Sequence, residues 1–531
     1  MTNDSNHPEQ QETKPLRKAN DSDQTPTQGS STNSPGKKKL VKLIGSGIIV
    51  VIVLVALFFV WKDGGSKSNF TQKQTIVRYS VDGQDTVVMN GQKFDVEEDL
   101  WGLSESLDSS AIAVMTYDES SETRALWYLN GKDQPVKVAD DIGNFVISDD
   151  GNKIAYITDV DEDFEYGTLR LFDGSKSEII DHDVYAGYFH LSPDGNSIVY
   201  LKDLEEMNAY VKNGSKSPEK LGDYVFPFAV SNNAKYIYYM ELDEDNEEIG
   251  HLYVQKGKDQ TRLRSNVSVE DLTLLFNQDY SQVLISEDGR SYLSNDAKES
   301  IPVTRSELIF TVDEVASRSW GLPEYEWWKD SFRVFAVSDL TSPLFHNDSG
   351  DIVSIDRSGN SETLVSEAWD AYVTADHNKV VYIDERERLI RRSLKNPGEE
   401  AEIISRDVMT FLTTDDAKVI YYLDYNNDLY VVKGSSEPKL LMMDVDYPID
   451  LTPDGKQVIF MSDYRYEGGN LYFSKNGGEP KKIAEDVYTF VITEQGMFFA
   501  KDYDEGYFDL YFTSNFSSSE LIGSEAESLW Y

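Results

Sequence analysis

Leu191–Asp203 reads LSPDGNSIVYLKD, and Leu451–Asp463 reads LTPDGKQVIFMSD. The two stretches lie about half the chain apart and share one design. An apolar run leads into Ser or Thr, then Pro-Asp-Gly, then a second apolar run that closes on an acid. Asp194-Gly195 and Asp454-Gly455 offer the left-handed backbone that a tight hairpin needs. Each stretch therefore predicts two antiparallel strands joined by a short turn.

Five more stretches carry the pattern: Phe145–Asp159, Phe228–Glu241, Tyr372–Asp384, Phe411–Asp424 and Phe490–Asp502. Leu272–Glu287 and Leu103–Asp118 are weaker copies. The spacing is roughly 38–45 residues. After the second strand comes an acidic loop. A third strand follows, such as GTLRLF, HLYVQ, DLYVV, NLYFS or DLYFT, and then a fourth such as EPKLL or EPKKIA. Four short strands repeated about every 40 residues predict an all-β fold, a β-propeller of four-stranded blades. The physics of burial explains the repetition. One four-stranded sheet cannot cover both of its faces, whereas sheets stacked around an axis cover one another.

The L-S/T-P-D-G-x-x-I/V-x-Y/F run resembles the repeat of TolB-type, WD-repeat-like propellers. It is also similar to the propeller part of prolyl-oligopeptidase-like proteins. The resemblance covers most of residues 100–531 and implies fold rather than function, because such propellers host unrelated activities. Length and spacing predict about 8–10 units, with one large ring favoured over two. Residues 75–98 are strand-like and could close the ring against the C-terminal blade.

Leu43–Trp61 reads LIGSGIIVVIVLVALFFVW, uncharged over about 19 residues, enough to cross a bilayer as a helix. Lys37, Lys38, Lys39 and Lys42 precede it, so the positive-inside rule places the N-terminus in the cytoplasm and the repeats outside. The run is longer than the apolar core of a cleaved signal peptide, and no small-residue cleavage site follows Phe59. The expected organisation is a disordered cytoplasmic tail (1–36), a basic flank and transmembrane signal anchor (37–62), a linker (63–74) and an extracytoplasmic propeller (75–531). An insertion at about 311–345 interrupts the last part.

Acidic residues number 94 against 50 Lys plus Arg, for a formal charge of −44. Such a surface repels nucleic acid, which needs clustered cations to displace its counterions. There is no cysteine, which excludes disulfides, thiolate metal sites and a cysteine nucleophile. The nearest approach to a hydrolase G-x-S-x-G elbow is Gly102-Leu103-Ser104-Glu105-Ser106, which lacks the last glycine. Histidines are few, although His182 and His190 fall close together at the junction between two repeats.

Two features carry candidate sites. The first is the acidic loop between second and third strands: Asp159, Asp161 and Asp163; Asp243 and Asp245; Asp502 and Asp504. Carboxylates so spaced are candidate ligands for a hard cation such as Ca2+, although Phe164 and Arg170 break the EF-hand pattern. They would gather at one end of the sheets with the loops joining consecutive units, and they would equally suit a basic protein or plain solubility. The second is the insertion Ser317–Phe332, SRSWGLPEYEWWKDSF, whose Trp320, Tyr325, Trp327 and Trp328 could stack on a sugar or anchor a protein. The expected role is a membrane-anchored binding or scaffold module for a cell-envelope protein, peptide or glycan, without enzymatic activity. A carboxylate-dependent lyase or glycosidase in the channel, or a transmembrane sensor, are the alternatives.

Overall fold

The computed structural model describes residues 76–530, apart from 305–307, 311–315, 318–331, 338–343 and loop stretches of one to four residues. The expected tail, anchor and linker lie outside the described residues. Among those described, the chain is all-β, with a single 3-10 turn at Asn232–Ala234 and no helix long and apolar enough to cross a membrane.

The strands fall into four-stranded antiparallel units in which chain order is sheet order. Unit 1 spans Asp99–Glu105, Ile112–Asp118, Thr123–Leu129 and Val136–Asp140. Unit 2 runs from Ile142 to Tyr185, unit 3 from Phe189 to Gly222 and unit 4 from Val225 to Ser268. Unit 5 runs from Leu272 to Thr304, unit 6 from Leu308 to Val365, unit 7 from Ala368 to Ser405 and unit 8 from Val408 to Met442. The remainder is one ten-stranded sheet in which two long strands each serve two units: unit 9 runs from Val445 into Lys481–Thr493, unit 10 from that strand into Glu520–Trp530, and unit 11 joins the end of Glu520–Trp530 to the three strands between Ile76 and Asp95. In Lys481–Thr493, Val487 pairs both with Gly469 behind it and with Lys501 ahead. In Glu520–Trp530, Ala526 pairs both with Phe508 and with Val81. The last unit thus takes one strand from the C-terminal end and three from residues 76–95. The expectation that the N-terminal strands clasp the C-terminal blade is met in that pairing.

Among the described residues this makes eleven units, more than the 8–10 that spacing predicts. Unit 3 is shorter than the average repeat, and the shared unit carries no intact repeat of its own to be counted.

The hairpin motif explains itself in hydrogen bonds. Ser192 Oγ donates to Asp194 Oδ1 at 2.7 Å and accepts from Ser197 N at 2.9 Å. Asp194 Oδ1 in turn accepts from Asn196 N at 3.0 Å. Gly195 N closes onto Ser192 O at 2.8 Å, with φ of +62° at the glycine. Thr452, Asp454 and Gly455 repeat every one of these bonds. Ser148 and Thr414 do so in units 2 and 8. Ser106, the last serine of the incomplete elbow, is buried and holds Ala111 N at 3.0 Å, the same turn role.

Packing follows the strand period of two. Val199 joins the core shared with units 4 and 5, while its neighbour Tyr200 faces unit 2. Tyr421 faces unit 9 and Tyr422 faces unit 7. Ile459 faces unit 10 and Phe460 faces unit 8. Such clusters bridge every successive pair of units except units 5 and 6, where the side chains lie largely outside the described residues. Each buried Tyr or Phe contributes on the order of 2 kcal/mol by leaving water. Sheets that follow one another in this way, each covering its neighbour, form a β-propeller.

Candidate functional site

Antiparallel order fixes which loops share an end. The turns between first and second strands and between third and fourth lie together, as the 2.8 Å bond from Gly214 N to Asn196 O records. The loops between second and third strands lie at the opposite end, beside the links to the next unit. There they are stitched: Ala186 N donates to Glu165 O at 2.7 Å, Val408 N to Glu387 O at 3.0 Å and Val445 N to Asn427 O at 2.7 Å.

This link end is where the acids gather. Asp141, Asp183, Glu367, Asp407, Asp444, Asp486 and Glu525 all sit where a fourth strand turns toward the next unit, and all have φ between +51° and +60°. Tyr224 and Asn266 hold the same place in units 3 and 4. Asp and Asn tolerate the left-handed region better than other non-glycine residues. Part of the acidity at this end therefore has a backbone origin.

The loop acids named from sequence fall into the same setting. Asp159 has φ of +54° and accepts from Thr158 Oγ1 at 3.0 Å. The Thr158 hydroxyl above all, with help from Thr168 and Arg170, holds its carboxyl below the usual range. Asp161 accepts from Glu165 N at 2.8 Å and so shapes its own loop. Asp243 is exposed opposite Asn246. Asp502 lies 3.1 Å from Lys501 Nζ, and Asp504 pairs across the strand with Tyr507. Asp163 and Asp245 lie outside the described residues. Those described belong to units 2, 4 and 10, on separate sheets. Among the described residues no three Asp, Glu or His side chains converge where a metal ion could sit.

Two further acids of the loops between second and third strands are better anchored. Asp384 is buried and bonds Arg388 Nε at 2.7 Å, Arg388 N at 2.9 Å and Arg386 N at 3.1 Å. Asp424 holds Asn426 N and Asp428 N, both at 2.9 Å. Each organises a tight loop.

The insertion enters between the first and second strands of unit 6, Leu308–Phe310 and Leu344–Asn347. Within it Phe332–Val337 runs parallel to the first strand of unit 5, from Leu272 opposite Phe332 to Asn277 opposite Val337. It occupies the free edge of that sheet, and Ala316–Ser317 pairs on its far side. Trp320, Tyr325, Trp327 and Trp328 lie outside the described residues.

The two histidines at the junction of units 2 and 3 make local contacts. His182 Nδ1 is 3.2 Å from Thr168 Oγ1, and His190 is buried with its ring 4.4 Å from that of Tyr188.

Sequence reasoning passed over a group of exposed aromatics at the link end. Tyr425, Tyr464 and Tyr507 stand out of units 8, 9 and 10, and Met443 stands on the link between units 8 and 9. A signal was present for two of them: Asp424-Tyr425 and Asp463-Tyr464 place an Asp-Tyr pair at the end of the second strand. Asp502-Tyr503 repeats the pair in unit 10, but there Tyr503 is half-buried against Tyr488 and Tyr507 is the exposed ring. Trp101 of unit 1 is also exposed, beside Tyr117 at 4.9 Å and Arg124 at 5.4 Å.

No protein-family model matches the chain, and no curated protein matches it. Solved structures do. The crystal structure of a eukaryotic initiation factor is 10% identical over 77% of this chain and 95% of that one, with a TM-score of 0.37. The GH74 enzyme of Niastella koreensis is 10% identical over 84% of this chain and 78% of its own, with a TM-score of 0.31. The β-propeller domain of the Trilobed protease from Pyrococcus furiosus is 11% identical over 65% of this chain and 97% of that one, with a TM-score of 0.29.

Proposed function

We propose that the chain is a membrane-anchored, extracytoplasmic binding module: one large propeller ring, TolB-like in its repeat, that recognises a cell-envelope protein, peptide or glycan without a chemical step. The observation that carries this reading is the shared unit, in which Ala526–Trp530 pairs with Arg78–Val81. Both ends of the repeat series meet in one sheet, which favours a single closed ring over two. Closure makes the body stiff, and stiff bodies present loops at low entropic cost to a partner. Anchoring rests on the uncharged Leu43–Trp61 and the lysines before it. The insertion, with Trp320, Tyr325, Trp327 and Trp328, and the acidic loops are the surfaces offered to the partner. The Asp159, Asp243 and Asp502 loops remain candidates for Ca2+ only as loop stabilisers.

The test is affinity capture from envelope extracts with the full chain in detergent, intact and with residues 318–331 replaced by a Gly-Ser linker. A specific partner recovered by the intact chain, and depleted at least about tenfold by the replacement, supports binding through the insertion. Recovery of the same background from both, and from a detergent-only control, would sink the reading. Protease shaving of intact cells tests the orientation: repeats that survive while a periplasmic or surface marker is digested would place them inside.

A further inference from the structure

The aromatic group on units 8 to 10 has a geometry of its own. Tyr425 is 57% exposed, Met443 62%, Tyr464 37% and Tyr507 49%. Apart from such loop positions, the exposed large apolar residues mostly sit singly on fourth strands, as Ile179, Ile403 and Leu521 do. Scattered single residues need no explanation, whereas neighbouring ones at one end of adjacent sheets form a patch. Tyr and Met are the residues that interface cores favour.

The patch is held in place before anything binds. Tyr464 N donates to Asp446 Oδ2 at 2.7 Å, and its hydroxyl reaches Tyr488 O at 3.4 Å. The Tyr488 and Tyr503 rings stack at 4.4 Å, 12° apart. The Val445 N to Asn427 O bond ties the loop bearing Tyr425 to the link bearing Met443. A pre-ordered surface loses little freedom on binding.

Its charge selects the partner. Asp424, Asp444 and Asp463 directly flank Tyr425, Met443 and Tyr464 in the chain, Asp446 accepts from Tyr464 N, and Asp504 lies opposite Tyr507. Against these carboxylates stand Arg465, exposed beside Tyr464, and Lys501, already 3.1 Å from Asp502. A neutral sugar would stack on the tyrosines without needing the acids, and a nucleic acid would be repelled. Lys and Arg side chains satisfy both features, with cationic heads near carboxylates or over tyrosine faces and alkyl stems on apolar area.

We infer that the tyrosine-rich surface across units 8 to 10 docks an extended, basic polypeptide segment in which Lys or Arg alternates with apolar residues. This rests on the binding-module reading and names its partner class and its face.

Two arms test it. In the first, the full chain in detergent is titrated with two synthetic dodecapeptides, alternating Lys-Leu and all-Lys. The expected result is tighter binding of Lys-Leu, and at least about a tenfold loss for it in the triple variant Tyr425→Ser, Tyr464→Ser, Tyr507→Ser. The all-Lys peptide should change little. Equal binding of both peptides, or a loss under about threefold in the triple variant with an unchanged melting midpoint, overturns the inference and leaves only counterion attraction. In the second arm, a photo-crosslinking residue replaces Tyr507 or, at the opposite end of the sheets, Lys258. Adducts from position 507 to a lysine- or arginine-rich segment support the inference. Adducts from position 258 alone overturn it while sparing the binding-module reading, and adducts from neither count against both.

Discussion

Ser80, on the first described strand, lies opposite Ser528 on the last. Among the described residues no other pair of strands joins segments so far apart in the sequence, so the ends of the repeat series are held by one antiparallel pair. The entropic cost of so long a closure is modest, because it grows only with the logarithm of loop length.

A cysteine pair at these positions should lock the clasp. Antiparallel partners sit about 4.5–5.5 Å apart between Cα atoms, within the range a disulfide spans. The chain has no cysteine to compete. Ser80→Cys with Ser528→Cys, oxidised, should stabilise by up to about 4 kcal/mol and raise the melting midpoint at fixed scan rate relative to the reduced form. Equal midpoints for oxidised and reduced protein would show that the two ends are not apposed.

Arg391 acts as a rivet between units 7 and 8. Its guanidinium is buried and donates to Ala417 O at 2.9 Å, Gly434 O at 2.6 Å and Glu402 Oε2 at 2.7 Å. Arg391→Leu strands two turn carbonyls and a carboxylate, and should cost about 2–4 kcal/mol in urea unfolding. Arg391→Lys should recover less than half, since a point charge cannot serve three acceptors set around a planar fork. Full recovery by lysine would reduce the role of Arg391 to charge alone.

Two glycines should separate close approach from backbone strain. At Gly496 an added Cβ would lie 2.1 Å from Thr513 O, with φ of +152°. At Gly214 φ is +54° and nothing lies within 4 Å. Gly214→Ala should cost about 1 kcal/mol and Gly496→Ala more than about 3 kcal/mol, read from chemical denaturation. Similar losses at both sites would contradict the contact at Thr513.

Asp384 should make stability fall with acid. Burial by itself raises its carboxyl, but the Arg388 side chain and the amides of Arg388 and Arg386 outweigh burial and hold it below the usual value. A carboxylate depressed in the folded state contributes fully above its unfolded value of about 3.9, and the contribution is lost as pH falls through the folded value. Asp384→Asn should therefore be less stable than the parent by about 1–3 kcal/mol at pH 7, with the gap closing below about pH 4. A gap that stays constant from pH 7 to pH 3 would rule out the charge as its source.

What could be read from the chain alone follows from locality. The S/T-x-D-G run encodes its own turn: the hydroxyl, the carboxylate and the left-handed glycine all act within six residues, as Ser192–Ser197 shows. Alternation at Val199-Tyr200 or Ile459-Phe460 likewise announces a strand buried on both faces. The repeat, the four-strand unit and the need for neighbours were legible for that reason. So was the uncharged stretch before the repeats, as composition.

Other properties arise only when distant parts meet. The number of units depended on Ala526 pairing with Val81, a partnership no local pattern encodes. The loop acids looked alike in sequence, yet Asp384 is buried and holds its own loop whereas Asp243 is exposed, because burial is set by neighbouring loops and links. Tyr425, Tyr464 and Tyr507 were three ordinary loop tyrosines until the sheets stood side by side and brought them to one end. Local hydrogen bonding determined each hairpin; long-range sheet packing decided which of their loops became a common surface.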